Sequence, residues 1–298
     1  MVTDEDHDSI SETGSSNSCE EFISFESIRD IGTNIEESIC FSWPSVYEDE
    51  NDTSHSEVST EKKLRKITLS TLLEEHDIAP IFDGSRWAGT RLWRAAIRGI
   101  QYITGHLDAK PAFLSADPSK TSMIELGCGL GVPGMIYHLL GGNVVLTDQA
   151  NILSQLEKNV MHNFASTAIT SSDPSREADI EKCTIRAMPL SWSIKGISDL
   201  LDQLNLSEVG FDIVLNCDCV FEPLYGKSWI SLNETLNELL RINPKCVIVT
   251  SVERRRGDNI DSFLEMMKGM EFVENVEKVW EDDKGKPIEI YVTQGRNR

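Results

Sequence analysis

Apolar positions along the chain fall into two alternating patterns once residue 66 is passed. GTRLWRAAIRGIQYITGHL (89 to 107) sets Leu92, Ala96, Ile97, Ile100 and Ile103 at helical spacing, which predicts an amphipathic helix with basic residues beside its apolar face. TSMIEL (121 to 126) reads as a short buried strand that runs into glycine. GVPGMIYHLLGG (131 to 142) predicts a helix with Pro133 in its first turn, stopped by Gly141 and Gly142. NVVLTD (143 to 148) is a second strand, followed by a helix over 149 to 163. CTIRAM (183 to 188), GFDIVLNCD (210 to 218) and CVIVTS (246 to 251) predict three more strands, with helices over 227 to 241 and 258 to 269. EFVENVEKVW and PIEIYVTQ, joined through DDKGK, close the chain as a strand pair, and SSDPSREAD (171 to 179) reads as a loop.

Strands alternating with helices imply an α/β fold, a parallel sheet covered on both faces with an antiparallel element at its end. Residues 1 to 65 show no sustained period and are rich in Ser, Asp and Glu, which marks a solvated N-terminal arm; residues 66 to 298 then form one domain. Charge sharpens that division. Of a net charge of -21, most sits in residues 1 to 60, where 16 acidic side chains face one basic residue, Arg29. Such an arm repels phosphate backbones, so nucleic acid is not an expected partner. Phe22, Ile23, Phe25, Ile28, Phe41 and Trp43 are scattered through it, and they leave room for docking on a basic partner.

The seven cysteines form no CxxC pair, and the six histidines hold no ligand spacing to them. No metal site is expected, the Cys217-Asp218-Cys219 stretch included. No apolar run approaches the length of a membrane span and no signal peptide is evident, which implies a reducing, cytoplasmic or nuclear setting and a monomer.

The glycines of IELGCGLGVPG (124 to 134) carry the chemistry. In a doubly wound sheet a ligand binds where the first strand turns into its helix, and bare backbone there allows close approach. Gly129, Gly131 and Gly134 spell GxGxxG with Asp148 nineteen residues after Gly129, as a dinucleotide fingerprint requires. Counted from the strand end at Leu126, however, the pattern is Glu125-x-Gly127-Cys128-Gly129-x-Gly131. A carboxylate at the strand tip suits a cationic ligand better than a pyrophosphate, and Asp148 is placed to accept hydrogen bonds from ribose hydroxyls in either case.

This acidic glycine pattern resembles motif I of the class I, seven-strand methyltransferases that use S-adenosyl-L-methionine. Asp218-Cys219-Val220-Phe221 further resembles the DxxF/Y signature of the protein lysine methyltransferases within that class. Trp93 in RLWRAA, Trp192 in PLSWS and Cys217 before the signature acid match the order of that group's other motifs, while Arg94 and the continuation EPLYGKSW depart from it. The resemblance implies a Rossmann-like seven-stranded mixed sheet flanked by helices. It implies S-adenosyl-L-methionine held by Trp93, Glu125, Gly127, Cys128, Gly129, Gly131, Asp148, Trp192 and Cys217. Asp218 and Phe221 become the catalytic candidates, Glu222 and Tyr225 stand behind them, and a lysine of a cytosolic protein is the expected acceptor. Rival readings are a methyltransferase for a small molecule or another side chain, an inactive cofactor-binding scaffold, and a dehydrogenase.

Overall fold

The computed structural model describes residues 23–29, 35–43, 63–70, 88–89, 91–105, 107, 118–165, 168–169, 184–282 and 287–296. Eleven strands are found among them: β1 (Ile23–Arg29), β2 (Ile35–Trp43), β3 (Lys63–Ser70), β4 (Ser122–Leu126), β5 (Asn143–Asp148), β6 (Ala168–Ile169), β7 (Ile185–Pro189), β8 (Ile213–Cys217), β9 (Val247–Glu253), β10 (Val273–Glu281) and β11 (Ile288–Gly295). The helices are α1 (Arg94–Ile103), α2 (Val132–Leu139), α3 (Ala150–Phe164), α4 (Ile194–Gln203), α5 (Glu222–Tyr225), α6 (Ser228–Ile242) and α7 (Ile260–Lys268).

The main sheet has the order β10-β11-β9-β8-β4-β5-β7-β6. Its pairs from β9 across to β6 are parallel, and β11 enters antiparallel between β9 and β10. This is the expected seven-stranded mixed sheet, extended by the two-residue edge strand β6. The central strands are mainly apolar because both faces are covered, with Glu125, Thr147 and Asn216 buried near their carboxyl ends. Successive side chains alternate: Met123 and Leu215 face the core under α1, α2 and α3, whereas Ile124 and Val214 face the core under α4, α6 and α7.

The structure differs from the sequence pattern in two places. Helix α4 was not among the expected elements, although its buried stripe, Ile197, Leu200 and Leu201, stands at helical spacing; Ser193 caps it by accepting from the Gly196 amide at 2.9 Å. Segments expected within a solvated arm pair instead as strands, with β1, β2 and the start of β3 joined antiparallel. β1 and β2 form a hairpin with Arg29 opposite Ile35, whereas β2 meets β3 across twenty residues or more, from Trp43 opposite Lys63 onward. β3 is tied to α3 by two hydrogen bonds between Thr68 and Asn163, and it buries Ile67 and Leu69 in the core. Phe22, the 171–179 loop and the 283–286 turn lie outside the described residues.

The order β8-β4-β5 puts a switch in strand direction of winding beside β4, where ligands bind at the carboxyl ends of such sheets.

Candidate functional site

At those carboxyl ends lies a cleft of 420 Å³. Trp93, Glu125, Gly127, Cys128 and Gly129 line it, as do Asp148, Trp192, Cys217 and Asp218. Gly131 does not. It is the residue before α2 with φ 74°, and a Cβ there would strike Leu156 at 2.7 Å and Leu146 at 2.9 Å, so its bareness serves packing behind the turn. Phe221 also lies outside the cleft lining and faces a neighbouring concavity shared with Arg254, Arg255 and Arg256.

The β4 turn builds the cleft floor. Gly127 has φ 61°, and a Cβ on it would come within 3.0 Å of the Trp192 ring and 2.8 Å of Cys219 Sγ. The Trp192 edge is thereby held against bare backbone. Cys219 is pinned below by donating its thiol to the Leu126 carbonyl at 3.2 Å. Burial pushes the thiols of Cys128, Cys217 and Cys219 well up, so they stay neutral and act as small apolar wall.

Glu125 is buried at the strand tip and accepts the Gly134 amide at 2.8 Å. Gly134 makes that bond reachable: a Cβ there would lie 2.2 Å from Leu146 and 2.9 Å from the Glu125 carboxylate. Burial pushes the Glu125 carboxyl up to about 8, opposed by the Gly134 amide and assisted by Asp148. Asp148 accepts from Gly129 N–H and Gln149 N–H, both at 2.7 Å. Burial raises its carboxyl as well, against those two bonds. Of the three carboxyls lining the cleft, Glu125 and Asp148 have no ion-pair partner among the described residues, whereas Asp218 pairs with Arg255. That chemistry fits a ligand bearing an ammonium or sulfonium and ribose hydroxyls, which is S-adenosyl-L-methionine, and disfavours a pyrophosphate. The GxGxxG match is thus explained without a dinucleotide: its last glycine serves the Glu125 carboxylate.

The other rim is built around Asp218, a non-glycine residue with φ 57° whose amide donates to the Ser251 carbonyl at 2.8 Å. Its carboxylate accepts two bonds from Arg255, at 2.8 and 2.5 Å, and a third from the Glu253 amide at 3.2 Å. Burial raises the Asp218 carboxyl and Arg255 pulls it back; burial would lower Arg255, but Asp218 and Glu253 overcome that and raise it. Tyr225 lines the cleft, and burial pushes its phenol well up. Glu222 instead accepts from the Trp229 indole at 2.9 Å, which fixes α5 on α6. Arg255 was not singled out in the sequence, and Cys219 only as part of the Cys217-Asp218-Cys219 stretch and the signature. For Arg255 the only signal was ERRRGD directly after a strand, which shows three cations and not which one turns inward.

Among the described residues no group of His, Cys, Asp and Glu could hold a metal ion, and no helix is long and apolar enough to cross a membrane.

A doubly wound sheet with an antiparallel β10-β11 end, a carboxylate at the tip of β4 and a second at the tip of β5 defines the Rossmann-like methyltransferase class. The chain belongs to the lysine methyltransferase family, whose sequence profile matches residues 74–270. It is 41% identical over 135 residues to secreted RxLR effector protein 48 of Plasmopara viticola, covering 45% of this chain and 64% of that protein. It is 28% identical over 207 residues to EEF1A lysine methyltransferase 3 of Xenopus tropicalis, covering 69% of this chain and 75% of the relative. It is also 27% identical over 199 residues to the histidine protein methyltransferase 1 homolog of Dictyostelium discoideum, covering 66% and 53%.

Proposed function

We propose that this protein transfers a methyl group from S-adenosyl-L-methionine to a lysine side chain of a protein substrate, in the cytoplasm or nucleus and as a monomer. The observation that carries the reading is the pair of carboxyls without a cation beside them among the described residues, Glu125 and Asp148, in a cleft bordered by the Asp218-to-Phe221 signature, in a chain of the lysine methyltransferase family. The free thiols of Cys128, Cys217, Cys219 and Cys246 support a reducing compartment.

When bound, S-adenosyl-L-methionine supplies an electrophilic methyl group. The residues of the chain supply place and field. Asp148 accepts ribose hydroxyls, Glu125 in its ionised form offsets the ligand's positive charge, and Trp192 with Gly127 gives a flat wall for the adenine. On the acceptor side the lysine must arrive neutral, although its ordinary pKa is about 10.4. Phe221 forms an apolar wall that favours the neutral amine and faces the cation as it develops. Asp218 sets the orientation of this wall. Methyl transfer needs no covalent enzyme intermediate, so alignment is the main demand on the site.

Residues 66 to 298 are proposed as the transferring unit; calorimetry on a chain lacking residues 1 to 60 checks this, with retained cofactor binding expected. A histidine acceptor is the second reading, favoured by the similarity to the Dictyostelium discoideum histidine protein methyltransferase. One experiment separates the two: incubation with tritiated S-adenosyl-L-methionine and a lysate lacking the endogenous enzyme, then mass spectrometry of the labelled protein. A methylated lysine supports the proposal. A methylated histidine replaces it, and no labelled protein removes it.

A further inference from the structure

We propose that Arg255 is the positioning residue of the acceptor side and that Asp218 acts on the reaction through it. The proposal rests on the methyl-transfer reading above and deepens it. The Arg255 guanidinium lies 5.4 Å from the Trp93 ring centroid and 5.2 Å from that of Phe221. Trp93 belongs to the cofactor cleft, whereas Phe221 belongs to the adjoining concavity. One planar cation therefore holds the wall of one compartment against the wall of the other.

Three of the five N–H donors of that cation are engaged. Two of its nitrogens donate to the Asp218 carboxylate, and one of them donates also to Glu253 at 3.0 Å. A carboxylate has about four acceptor sites, and three on Asp218 are taken by Arg255 and the Glu253 amide. Its capacity goes mainly into holding Arg255 rather than into the acceptor amine. The main chain is held too: Arg255 N–H donates to Asp258 Oδ2 at 2.7 Å, and the Asp258 carbonyl accepts the Glu222 amide at 3.2 Å. The loop after β9 is thus tied to α5, the element that follows Phe221.

Its neighbours behave differently. Arg254 lines the same concavity but spends its donors on Glu289, Asp261 and Tyr291, and Arg256 is exposed. Only Arg255 of the three touches both rings. A lysine in its place would keep the charge but lose the plane and the bidentate fork that fix ring spacing.

The test uses the full chain with Arg255→Lys, Asp218→Asn and the double variant. Each is assayed with saturating tritiated S-adenosyl-L-methionine and the protein band that the wild type labels in lysate. Cofactor affinity is measured by calorimetry, and the melting temperature is recorded alongside. Arg255→Lys is expected to lower the maximal rate tenfold or more with cofactor affinity within threefold of wild type. Asp218→Asn is expected to do the same, and the double variant to be no slower than the slower single. A wild-type rate in Arg255→Lys overturns the proposal. So do losses that multiply in the double variant, which would give Asp218 an independent role. So does a loss confined to melting temperature and cofactor affinity, which would make Arg255 a fold residue. Should the double variant fail to fold, Arg255→Lys alone decides. Failure of the lysine reading shows separately, as a methyl group found on another residue of the wild-type product, and the rate comparison on that product still tests Arg255.

Discussion

The two rims of the cleft are built on opposite plans. The proposed cofactor rim is largely local in sequence: Glu125, Gly127, Gly129 and Gly134 fall within ten positions, and the link from the Gly129 amide to Asp148 spans nineteen. The acceptor rim is assembled across the chain, since Arg255 joins Asp218 at a separation of 37 residues and stacks on Trp93 from the opposite end of the domain. A ligand common to a whole class can be held by one turn with fixed spacing. An acceptor channel has to be shaped from separate strands, and its tolerance to change should differ accordingly.

The sharpest way to break that contrast is on the cofactor rim. Asp148→Ala is expected to weaken S-adenosyl-L-methionine binding by about 1.5 to 3 kcal/mol through loss of charge-assisted ribose bonds, while the rate at saturating cofactor changes little. Calorimetric titration checks it, and equal affinities would remove Asp148 from the cofactor rim. The mirror change on the other rim is Phe221→Ala. It should lower the rate at saturating cofactor tenfold or more, about 1.4 kcal/mol, with cofactor affinity nearly intact. If the affinity falls instead, the two rims are not separate.

Glu125 sharpens the comparison through pH. Its folded-state pKa, about 8, lies above the ordinary value of 4.5, so the folded protein without ligand holds a proton that the unfolded chain loses. The stability it contributes is present below pH 4.5 and is lost progressively as pH rises towards 8. Glu125→Gln should flatten that part of the stability curve, read by denaturant unfolding of both forms from pH 5 to 8. A cationic ligand favours the ionised form, so S-adenosyl-L-methionine affinity of the wild type should rise over the same interval and that of Glu125→Gln should not. The smallest effect is expected at Glu222, whose link is to the Trp229 indole. Glu222→Gln keeps an acceptor oxygen and should change turnover by less than twofold; a tenfold fall would return Glu222 to the chemistry.

Much of the cofactor rim was legible because its chemistry is written in adjacent letters. An apolar strand that ends in an acid and glycines, then a second strand that ends in Asp148, leaves few alternatives for where a ligand sits. Gly131 shows the limit of such reading: it was expected to touch the cofactor, but it is absent from the cleft lining and packs against Leu146 and Leu156. Phe221 likewise kept its place in the signature, yet its side of the rim depends on the β9 loop that Asp258 folds back.

The sequence by itself determined the alternation of strands and helices, the antiparallel closing pair and the turn after β4, since these follow from hydrophobic period and glycine freedom within short windows. Tertiary structure alone decided that β3 pairs with β2, that Glu125 is buried without a cation, and that one arginine of three turns inward between Trp93 and Phe221. Pairing, desolvation and ion-pair choice depend on which distant groups come together, and no local pattern encodes that.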